Sequence, residues 1–252
     1  MKLLILGGTT EATALAAALA GRHDLRPVLS LAGRTAHPAL PPIPHRIGGF
    51  GGVAGLSDYL ERERQEAVVD ATHPFAARIS AHAAEACGRL GLPLLAFTRP
   101  PWQPGPGDRW TGVPDLDAAA RALGGPPRRV LLTVGRLGLA AFRAAPQHRY
   151  LIRSIDPPAP GDLPPEHRVV LDRGPFRLAD ETALMAGEAV ETLVTKNSGG
   201  PAAAAKLAAA RALGIGVVLV ARPTAAGPRD EAVALPDVLA WIDARAHGRA
   251  MP

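Results

Sequence analysis

Short apolar segments alternate with alanine-rich segments of helical spacing along almost the whole chain, and this alternation restricts the possible folds more than any other feature. Residues 2–6 form an apolar run typical of a buried strand, and residues 11–20 have the composition of a helix. Strands that alternate with helices are typical of βαβ units, in which parallel strands form a sheet covered by helices on both faces. The sequence therefore predicts an α/β protein with doubly wound parallel sheets.

The same alternation predicts the other elements of the chain. In the first half, strands are expected at residues 27–32, 44–47, 67–70 and 93–97, and helices at 55–64 and 75–90. A helix is expected at residues 116–123. In the second half, strands are expected at residues 129–134, 150–155, 168–171, 192–195 and 216–220, and helices at 137–144, 178–187, 201–213 and 236–246.

A stretch rich in proline and glycine interrupts this pattern near the middle of the chain. Residues 99–107 include Pro100, Pro101, Pro104 and Pro106, which exclude a helix and a central strand. A second break follows at residues 124–127. The sequence therefore predicts an N-terminal domain at residues 1–98, a crossing segment at 99–127 and a C-terminal domain at 128–252.

Several classes of protein are excluded by composition. One cysteine, Cys87, among 252 residues excludes a disulfide framework and a cysteine-based zinc or iron–sulfur site. No set of His, Asp and Glu has metal-ligand spacing, so no metal is expected. No apolar run reaches the roughly 18 residues of a membrane span, and Gly7 and Gly8 end the first run too early for a signal peptide. We expect a cytoplasmic protein without membrane attachment.

The chain is basic, with a formal net charge of +5, but its basic residues are scattered. Arginines dominate, and only Lys2, Lys196 and Lys206 are lysines. No basic run is interleaved with aromatic residues in the way that a nucleic-acid surface prefers, so nucleic-acid binding is not expected. Scattered arginines match a small polyanionic ligand better.

The first strand-to-helix turn is a candidate phosphate site. It consists of Gly7, Gly8, Thr9, Thr10 and Glu11. Glycines at such a turn let backbone N–H groups approach a phosphate, and the helix N-terminus favours its negative charge. The turn lacks the complete Gly-x-Gly-x-x-Gly pattern, and a tight turn capped by a threonine would have the same sequence. Its position favours cofactor binding by these five residues.

The end of the second predicted strand bears on cofactor choice. In doubly wound folds an acidic residue here binds the free ribose 2′-hydroxyl of NAD, whereas an arginine accommodates the 2′-phosphate of NADP. This chain has Ser30, Gly33 and Arg34 here and no acid. The three residues therefore favour NADP, and a solvated loop arginine is the alternative for Arg34.

A compact polar motif follows the strand at residues 67–70. Asp70 is followed by Thr72, His73 and Pro74, at the carboxyl end of a strand, where open α/β sheets bind ligands. Pro74 is expected to start the next helix, whose end would point at a ligand, and Thr72 and Pro74 are assigned to the cofactor. His73 is the candidate catalytic residue, as a proton or hydrogen-bond donor, although a histidine without a chemical role is the alternative.

The second half carries its own polar residues at predicted carboxyl ends of strands, so they should converge on one rim. The candidate substrate-binding residues are Arg136, Arg153, Lys196, Asn197, Ser198, Gly199 and Arg222. Each could instead be a surface charge or a cap. The run from Lys196 to Gly200 is the most distinctive, because lysine is scarce and the glycine pair allows close backbone approach.

Together these motifs resemble the precorrin-6A reductase family. The resemblance rests on residues 7–12, 70–76, 173–176, 195–200 and 222–223, which occur in order between Leu3 and Trp241. It implies an NADPH-dependent reductase of cobalamin biosynthesis with two Rossmann-like domains and an active site in the cleft between them. It also implies hydride transfer from the nicotinamide to one carbon–carbon double bond of a tetrapyrrole, which converts precorrin-6A to precorrin-6B.

The resemblance agrees with the arginine content, since the macrocycle carries many carboxylates and arginine binds carboxylates by charge-assisted, often bidentate bonds. Two other interpretations stay open: a nucleotide-binding Rossmann-like protein without hydride chemistry, and a methyltransferase of the same pathway that uses S-adenosylmethionine. Arg34 favours the reductase, because a 2′-phosphate contact makes sense only for NADP. The motifs do not distinguish a metal-free ring from a cobalt-containing one, and they do not identify the proton donor.

Overall fold

The computed structural model describes residues 1–33, 42–224 and 227–248. The strands are β1 Lys2–Leu6, β2 Arg26–Leu31, β3 His45–Ile47, β4 Ala67–Asp70, β5 Leu94–Phe97, β6 Trp110–Val113, β7 Arg129–Thr133, β8 Arg149–Ser154, β9 His167–Leu171, β10 Thr192–Lys196, β11 Gly216–Val220 and β12 Asp230–Ala232. The α-helices are α1 Thr10–Leu19, α2 Val53–Arg62, α3 Ala77–Leu90, α4 Leu116–Ala122, α5 Leu178–Gly187, α6 Ala205–Ala212 and α7 Leu235–His247.

The strands form two six-stranded sheets in which every neighbouring pair is parallel. The first sheet has the order β3-β2-β1-β4-β5-β12, and the second has the order β9-β8-β7-β10-β11-β6. The first sheet follows the doubly wound order 3-2-1-4-5-6, and the second has the same order for the five strands that start at β7, with β6, which precedes them in the chain, in the sixth place. The predicted fold class, two Rossmann-like parallel-sheet domains, is confirmed.

The sixth strand of each sheet explains why the domain boundaries differ from those expected. The chain divides into one unit of Met1–Pro100 with the described residues from Pro223 onward, and a second unit of Pro101–Arg222. Segment 99–127 is therefore more than a crossing, since it contains β6 and α4 of the second unit. The C-terminal residues return to the first unit, where β12 pairs with β5.

Burial on both faces accounts for the apolar strands of the first sheet. Leu3, Leu4 and Ile5 of β1 are fully buried, as is expected of a central strand covered by helices. The core on one face is built from leucine and alanine, with Leu15 and Leu19 of α1 beside the strand side chains. The alanines of this core let helix and sheet approach closely.

Three predicted helices differ from the structure. The expected helix at residues 137–144 is wrong: the structure has two short 3₁₀ helices there, Arg136–Gly138 and Ala140–Ala144. Gly138 packs so closely that an added Cβ would lie 2.9 Å from Leu116 Cδ1. The helix expected from residue 201 begins at Ala205, and the one expected from residue 75 begins at Ala77, so Pro74 precedes that helix instead of starting it.

In the described part of the chain, no helix combines the length and the apolar character needed to cross a membrane. Within the same residues, no three His, Cys, Asp or Glu side chains are grouped so that they could hold a metal ion.

Candidate active site

In each sheet, sequence motifs follow the two strands between which the strand order reverses. In doubly wound folds ligands bind outside the carboxyl ends of the strands at this switch point. In the first unit it lies between β1 and β4, which are followed by the glycine turn and by the segment starting at Asp70. In the second unit it lies between β7 and β10, which are followed by Arg136 and by the run after Lys196.

The turn after β1 presents backbone donors. Among the described residues, the N–H groups of Gly8, Thr9, Thr10 and Glu11 have no hydrogen-bond acceptor. Gly8 has a φ of +119°, and a Cβ built on it would meet no atom within 4 Å, so the turn is open on this side. Unpartnered amides at the N-terminus of α1 form an arrangement that binds a phosphate group. The turn therefore fits a pyrophosphate.

Thr9 holds this turn in place instead of offering its side chain. Its hydroxyl donates to the Ala71 carbonyl at 2.7 Å and accepts from the Ala12 N–H at 3.1 Å. It is therefore the N-cap of α1 and at the same time a link to the end of β4. The threonine cap that the sequence allowed is thus present at Thr9, and a contact of its backbone N–H with a cofactor stays a prediction.

The carboxylate of Glu11 is balanced by a cation of the same unit. Glu11 Oε1 lies 3.3 Å from Arg99 Nη1, and both side chains are mostly buried. Thr10 donates its hydroxyl to Glu11 Oε2 at 3.1 Å. The arginine therefore reduces the repulsion that a carboxylate at the phosphate turn would otherwise exert on a bound anion.

The end of β2 lies directly beside the turn. Ser30 is buried, its carbonyl accepts the Gly7 N–H at 2.9 Å, and its hydroxyl accepts from Arg46 Nη1 at 2.8 Å. Gly33 has a φ of +69°, which favours glycine there. Arg34 lies outside the described residues, so its contact with a 2′-phosphate stays a prediction.

The segment after β4 is ordered by the Asp70 carboxylate. Asp70 is 5% exposed, and its Oδ1 accepts from the Thr72 hydroxyl at 2.6 Å and from the Thr72 N–H at 3.1 Å. His73 Nδ1 accepts the Phe75 N–H at 3.2 Å. In a neutral imidazole this bond assigns the proton to Nε2, which makes that nitrogen the donor.

These residues line a small polar hollow within the first unit. Its polar walls are formed by Asp70, Thr72, His73, Ser80, Thr98 and Arg229. Pro74 also contributes to the lining. The structure thus brings together the predicted residues Thr72, His73 and Pro74 at one end of the first sheet.

In the second unit, two predicted substrate residues make internal bonds. The Asn197 amide accepts from the Trp102 N–H at 2.8 Å and donates to the Trp102 carbonyl at 3.1 Å. Arg222 donates to the carbonyls of Asn197 and Ser198, each at 2.9 Å. Trp102 Nε1 also donates to the Gly200 carbonyl at 2.9 Å. Asn197 and Arg222 therefore hold the loop after β10 in one conformation.

Arg153 is likewise used inside the protein. It is buried, forms an ion pair with the buried Glu181, and its guanidinium carbon lies 3.8 Å from the centre of the Phe176 ring. This geometry gives Arg153 the role of fixing the segment that contains Phe176. Its direct contact with a substrate stays a prediction that these contacts do not favour.

The other predicted residues of the second unit lie at the switch point with side chains that are partly accessible. Lys196 is the last residue of β10 and is half-buried, as are Arg136 and Ser198. Gly199 and Gly200 have φ values of +69° and +74°, which a residue with a side chain adopts at a cost. The structure therefore brings Lys196, Ser198 and Gly199 together in one loop.

The sequence did not indicate three arginines and a tryptophan that have structural roles in these sites. Arg46, Arg99, Arg229 and Trp102 each contact a motif residue or line the hollow. In a chain this rich in arginine, no sequence signal separates these arginines from the rest. Trp102, however, is a single large aromatic in a proline-rich segment, and this contrast marks it as an anchored residue.

The thiol of Cys87 is unreactive at neutral pH. Cys87 is buried in α3, and burial, with a smaller contribution from the Asp70 charge, raises its pKa to about 12. A thiol with such a pKa carries almost no thiolate at neutral pH, so it is not a nucleophile. Its role is to fill the core between α3 and the sheet.

Comparisons with known proteins agree with this geometry. The profile of the family described as precorrin-6x reductase CbiJ/CobK matches residues 2–243. A precorrin-6A reductase of Rhodobacter capsulatus is 52% identical over 96% of this chain and 95% of its own length, and one of Rhodococcus erythropolis is 48% identical over 96% and 97%. Cobalt-precorrin-6A reductases also match, with 25–30% identity.

A solved structure described as CobK precorrin-6A reductase has 51% sequence identity and a TM-score of 0.91, with 97% of each chain covered. The similarity therefore extends over both sheets and all the motifs described above. The chain belongs to the precorrin-6x reductase CbiJ/CobK family.

Proposed function

We propose that this chain reduces precorrin-6A to precorrin-6B in cobalamin biosynthesis, with NADPH as the hydride donor. The relatives named precorrin-6A reductase are 48–52% identical to it, whereas those named cobalt-precorrin-6A reductase are 25–30% identical. This gap supports the metal-free macrocycle as the natural substrate.

We assign the cofactor to the first unit because of the unpartnered backbone amides after β1. They lie at a switch point and at the start of a ten-residue helix, as a pyrophosphate site requires. In the second unit the equivalent strand β7 leads into 3₁₀ turns instead of an α-helix. The first unit is therefore the better dinucleotide site.

The predicted cofactor residues are assigned to different portions of NADPH. Gly7, Gly8 and the amides through Glu11 hold the pyrophosphate, and Ser30, Gly33 and Arg34 surround the adenosine ribose and its 2′-phosphate. Thr72 and Pro74 flank the nicotinamide end. Bound NADPH supplies the hydride.

His73 is proposed to act beside the nicotinamide. Its Nδ1 is occupied by the Phe75 N–H, so the ring can present Nε2–H as a donor. A donor at this place can hold the carboxamide or pass a proton to the reduced macrocycle. Replacement of His73 by glutamine keeps a donor but removes the titratable proton, and thus separates the two roles.

The tetrapyrrole carboxylates are assigned to the second unit. Lys196 and Arg136 are proposed to bind propionate or acetate groups, and the loop held by Asn197 and Arg222 supplies the backbone of Ser198 and Gly199. Charge-assisted bonds to these carboxylates are shorter and stronger than neutral ones. The Arg153–Glu181 pair supports this surface from inside.

Incubation of the purified chain with precorrin-6A and NADPH, without oxygen, tests the proposal. We expect NADPH oxidation and a product heavier by two hydrogens, with less turnover of the cobalt-containing ring. NADPH that binds without being consumed would indicate a binding protein. A product heavier by one methylene after addition of S-adenosylmethionine would indicate a methyltransferase. A cytoplasmic location and the lack of nucleic-acid binding stay predictions.

A further inference from the structure

Arg46 is an immobilised cation at the edge of the first sheet. It lies on β3, opposite Ser30 of β2 in the register of the two strands. Its Nη1 donates to the Ser30 hydroxyl at 2.8 Å and to the Gly48 carbonyl at 3.0 Å, and its Nη2 donates to the Gly49 carbonyl at 3.1 Å. Because Gly48 and Gly49 follow β3, the guanidinium lies at the carboxyl end of these strands.

Aromatic rings restrict the same side chain from another direction. The guanidinium carbon lies 4.0 Å from the centre of the Phe50 ring and 5.2 Å from that of Tyr59, and the two rings meet edge to face. A guanidinium on an aromatic face gains cation–π attraction and loses freedom of rotation. The charge is therefore fixed before any ligand arrives.

The guanidinium keeps donors for a ligand. Three of its five N–H groups are used by the bonds above, which leaves Nε–H and one hydrogen of Nη2. Within residues 1–33, 42–224 and 227–248, no carboxylate is paired with Arg46. A cation that is held in place, keeps two N–H donors and has no paired carboxylate among the described residues can bind an anion.

Its position gives the identity of that anion. The end of β2 is where doubly wound folds contact the 2′ position of the adenosine ribose, and an arginine nearby accommodates a 2′-phosphate. We propose that Arg46 determines the preference of this chain for NADPH over NADH, by binding the 2′-phosphate together with Ser30. The assignment rests on the proposed use of NADPH and adds to it a residue on β3.

A purely structural role for Arg46 predicts a different outcome. Its bonds to Gly48 and Gly49 order the loop that leads into α2, and loss of that order would weaken both nucleotides equally. A 2′-phosphate contact instead affects only the ligands that carry this phosphate. The comparison of matched nucleotides therefore distinguishes the two roles.

The test uses the full chain and measures dissociation constants for NADPH, NADH, 2′,5′-ADP and 5′-AMP. Arg46→Ala is expected to weaken NADPH and 2′,5′-ADP by roughly tenfold or more, and to leave NADH and 5′-AMP within about twofold. Arg46→Lys keeps the charge but cannot reach Ser30 and both glycine carbonyls, so an intermediate loss is expected. Arg62→Ala is the matched control, because Arg62 also lies over Tyr59 but is exposed and paired with Glu63.

Equal losses for all four nucleotides, or an unchanged NADPH-to-NADH ratio in both Arg46 variants, would overturn the proposal. If Arg46→Ala does not fold, the same ratio measured with Arg46→Lys decides it. A wild-type chain that binds NADPH no better than NADH would instead show that the proposed cofactor is wrong. That result is separate, since it is obtained before any substitution.

Discussion

The two units share the order of the five strands that start at β1 and at β7, but the segments that follow the strands at their switch points differ. In the first unit, β1 runs into α1 and leaves four consecutive backbone N–H groups without an acceptor among the described residues. In the second, β7 runs into 3₁₀ turns, the Asn197 side chain bonds to the Trp102 backbone, and Arg222 donates to the carbonyls of Asn197 and Ser198. Equal topology therefore does not imply equal local structure: the first turn leaves backbone donors open, whereas in the second unit these side chains fix the chain around β10.

The local sequence explains this difference. Thr9 caps α1, and the following residues are mostly alanine and leucine, which favour a helix. After β7, Gly135 adopts a φ of +76° and Gly138 is buried against Leu116, so the chain tightens into 3₁₀ turns. Glycine destabilises an α-helix interior by about 1 kcal/mol relative to alanine, which favours this outcome.

The largest expected effect comes from closing the first site. Gly8→Val places a branched side chain over the unpartnered amides, where the open turn now admits a pyrophosphate. Loss of two or more charge-assisted bonds, each worth about 1.5–3 kcal/mol, should weaken NADPH by more than roughly a hundredfold. Calorimetric titration with NADPH checks this.

Gly21→Val is the control for Gly8→Val. Gly21 also has a positive φ, +80°, and a Cβ there also meets nothing within 4 Å. It carries the same kind of backbone strain, about 1–3 kcal/mol, away from the turn. If both variants lose NADPH affinity equally, strain and not occlusion is the cause, and the turn is not the phosphate site.

The second largest effect should be a loss of stability in the second unit. Asn197→Ala removes both hydrogen bonds to the Trp102 backbone, so the free energy of unfolding should fall by about 1–3 kcal/mol. NADPH affinity should stay unchanged. Urea unfolding followed by tryptophan fluorescence measures the loss. Asn197→Asp keeps the acceptor and should lose about half as much; an unchanged stability with a raised KM for the tetrapyrrole would restore Asn197 as a direct substrate contact.

The sequence predicted the central elements well because their signals are local. Central strands such as β4 and β11 are continuous apolar runs buried on both faces, and their predicted bounds agree with the structure. The edge strands β6 and β12 were missed, since they have four and three residues and are mostly exposed. Their placement in a sheet depends on pairing with residues far along the chain, which no local pattern encodes.

For the candidate site, the positions of residues could be predicted, but the contacts of their side chains could not. Glycine turns and strand ends indicated the segments after β1, β4, β7 and β10, which the strand order places at the two switch points. Whether a polar side chain faces a ligand or a neighbour is set by packing. Arg153 illustrates this, because its partner Glu181 lies 28 residues away on another element.

A moderate effect is expected at the second site. Lys196→Ala should raise the KM for precorrin-6A about tenfold, equivalent to about 1.4 kcal/mol, and leave NADPH affinity nearly unchanged. Removal of a half-buried lysine should cost more binding free energy than removal of an exposed one. An exposed ion pair contributes only about 0.2–1 kcal/mol. Steady-state kinetics with each substrate varied separately check this, with Lys2→Ala as the control for net charge. An equal loss for NADPH would contradict the division of roles between the units.

The smallest expected effect is a pH dependence of stability in the second unit. His148 is fully buried, and within the described residues neither ring nitrogen has a hydrogen-bond partner. Burial lowers its pKa below the ordinary value of 6.5. As the pH falls through about 6.5, the unfolded chain binds a proton that the folded chain does not, so stability falls by at most about 1.4 kcal/mol per pH unit. Above that range this histidine contributes no pH dependence.

His148→Phe should remove this component of the pH dependence, because phenylalanine retains an aromatic ring beside Tyr150 and carries no proton. Unfolding free energies at pH 7.5 and 5.5 measure the change, and His23→Gln, at an exposed position, is the control. Trp102 and Trp110 lie in the second unit and Trp241 in the first, so variants that keep one or the other report which unit unfolds. Since His148 precedes β8, acid should destabilise the second unit first. The same acid sensitivity in the His148→Phe chain would assign the effect to other groups.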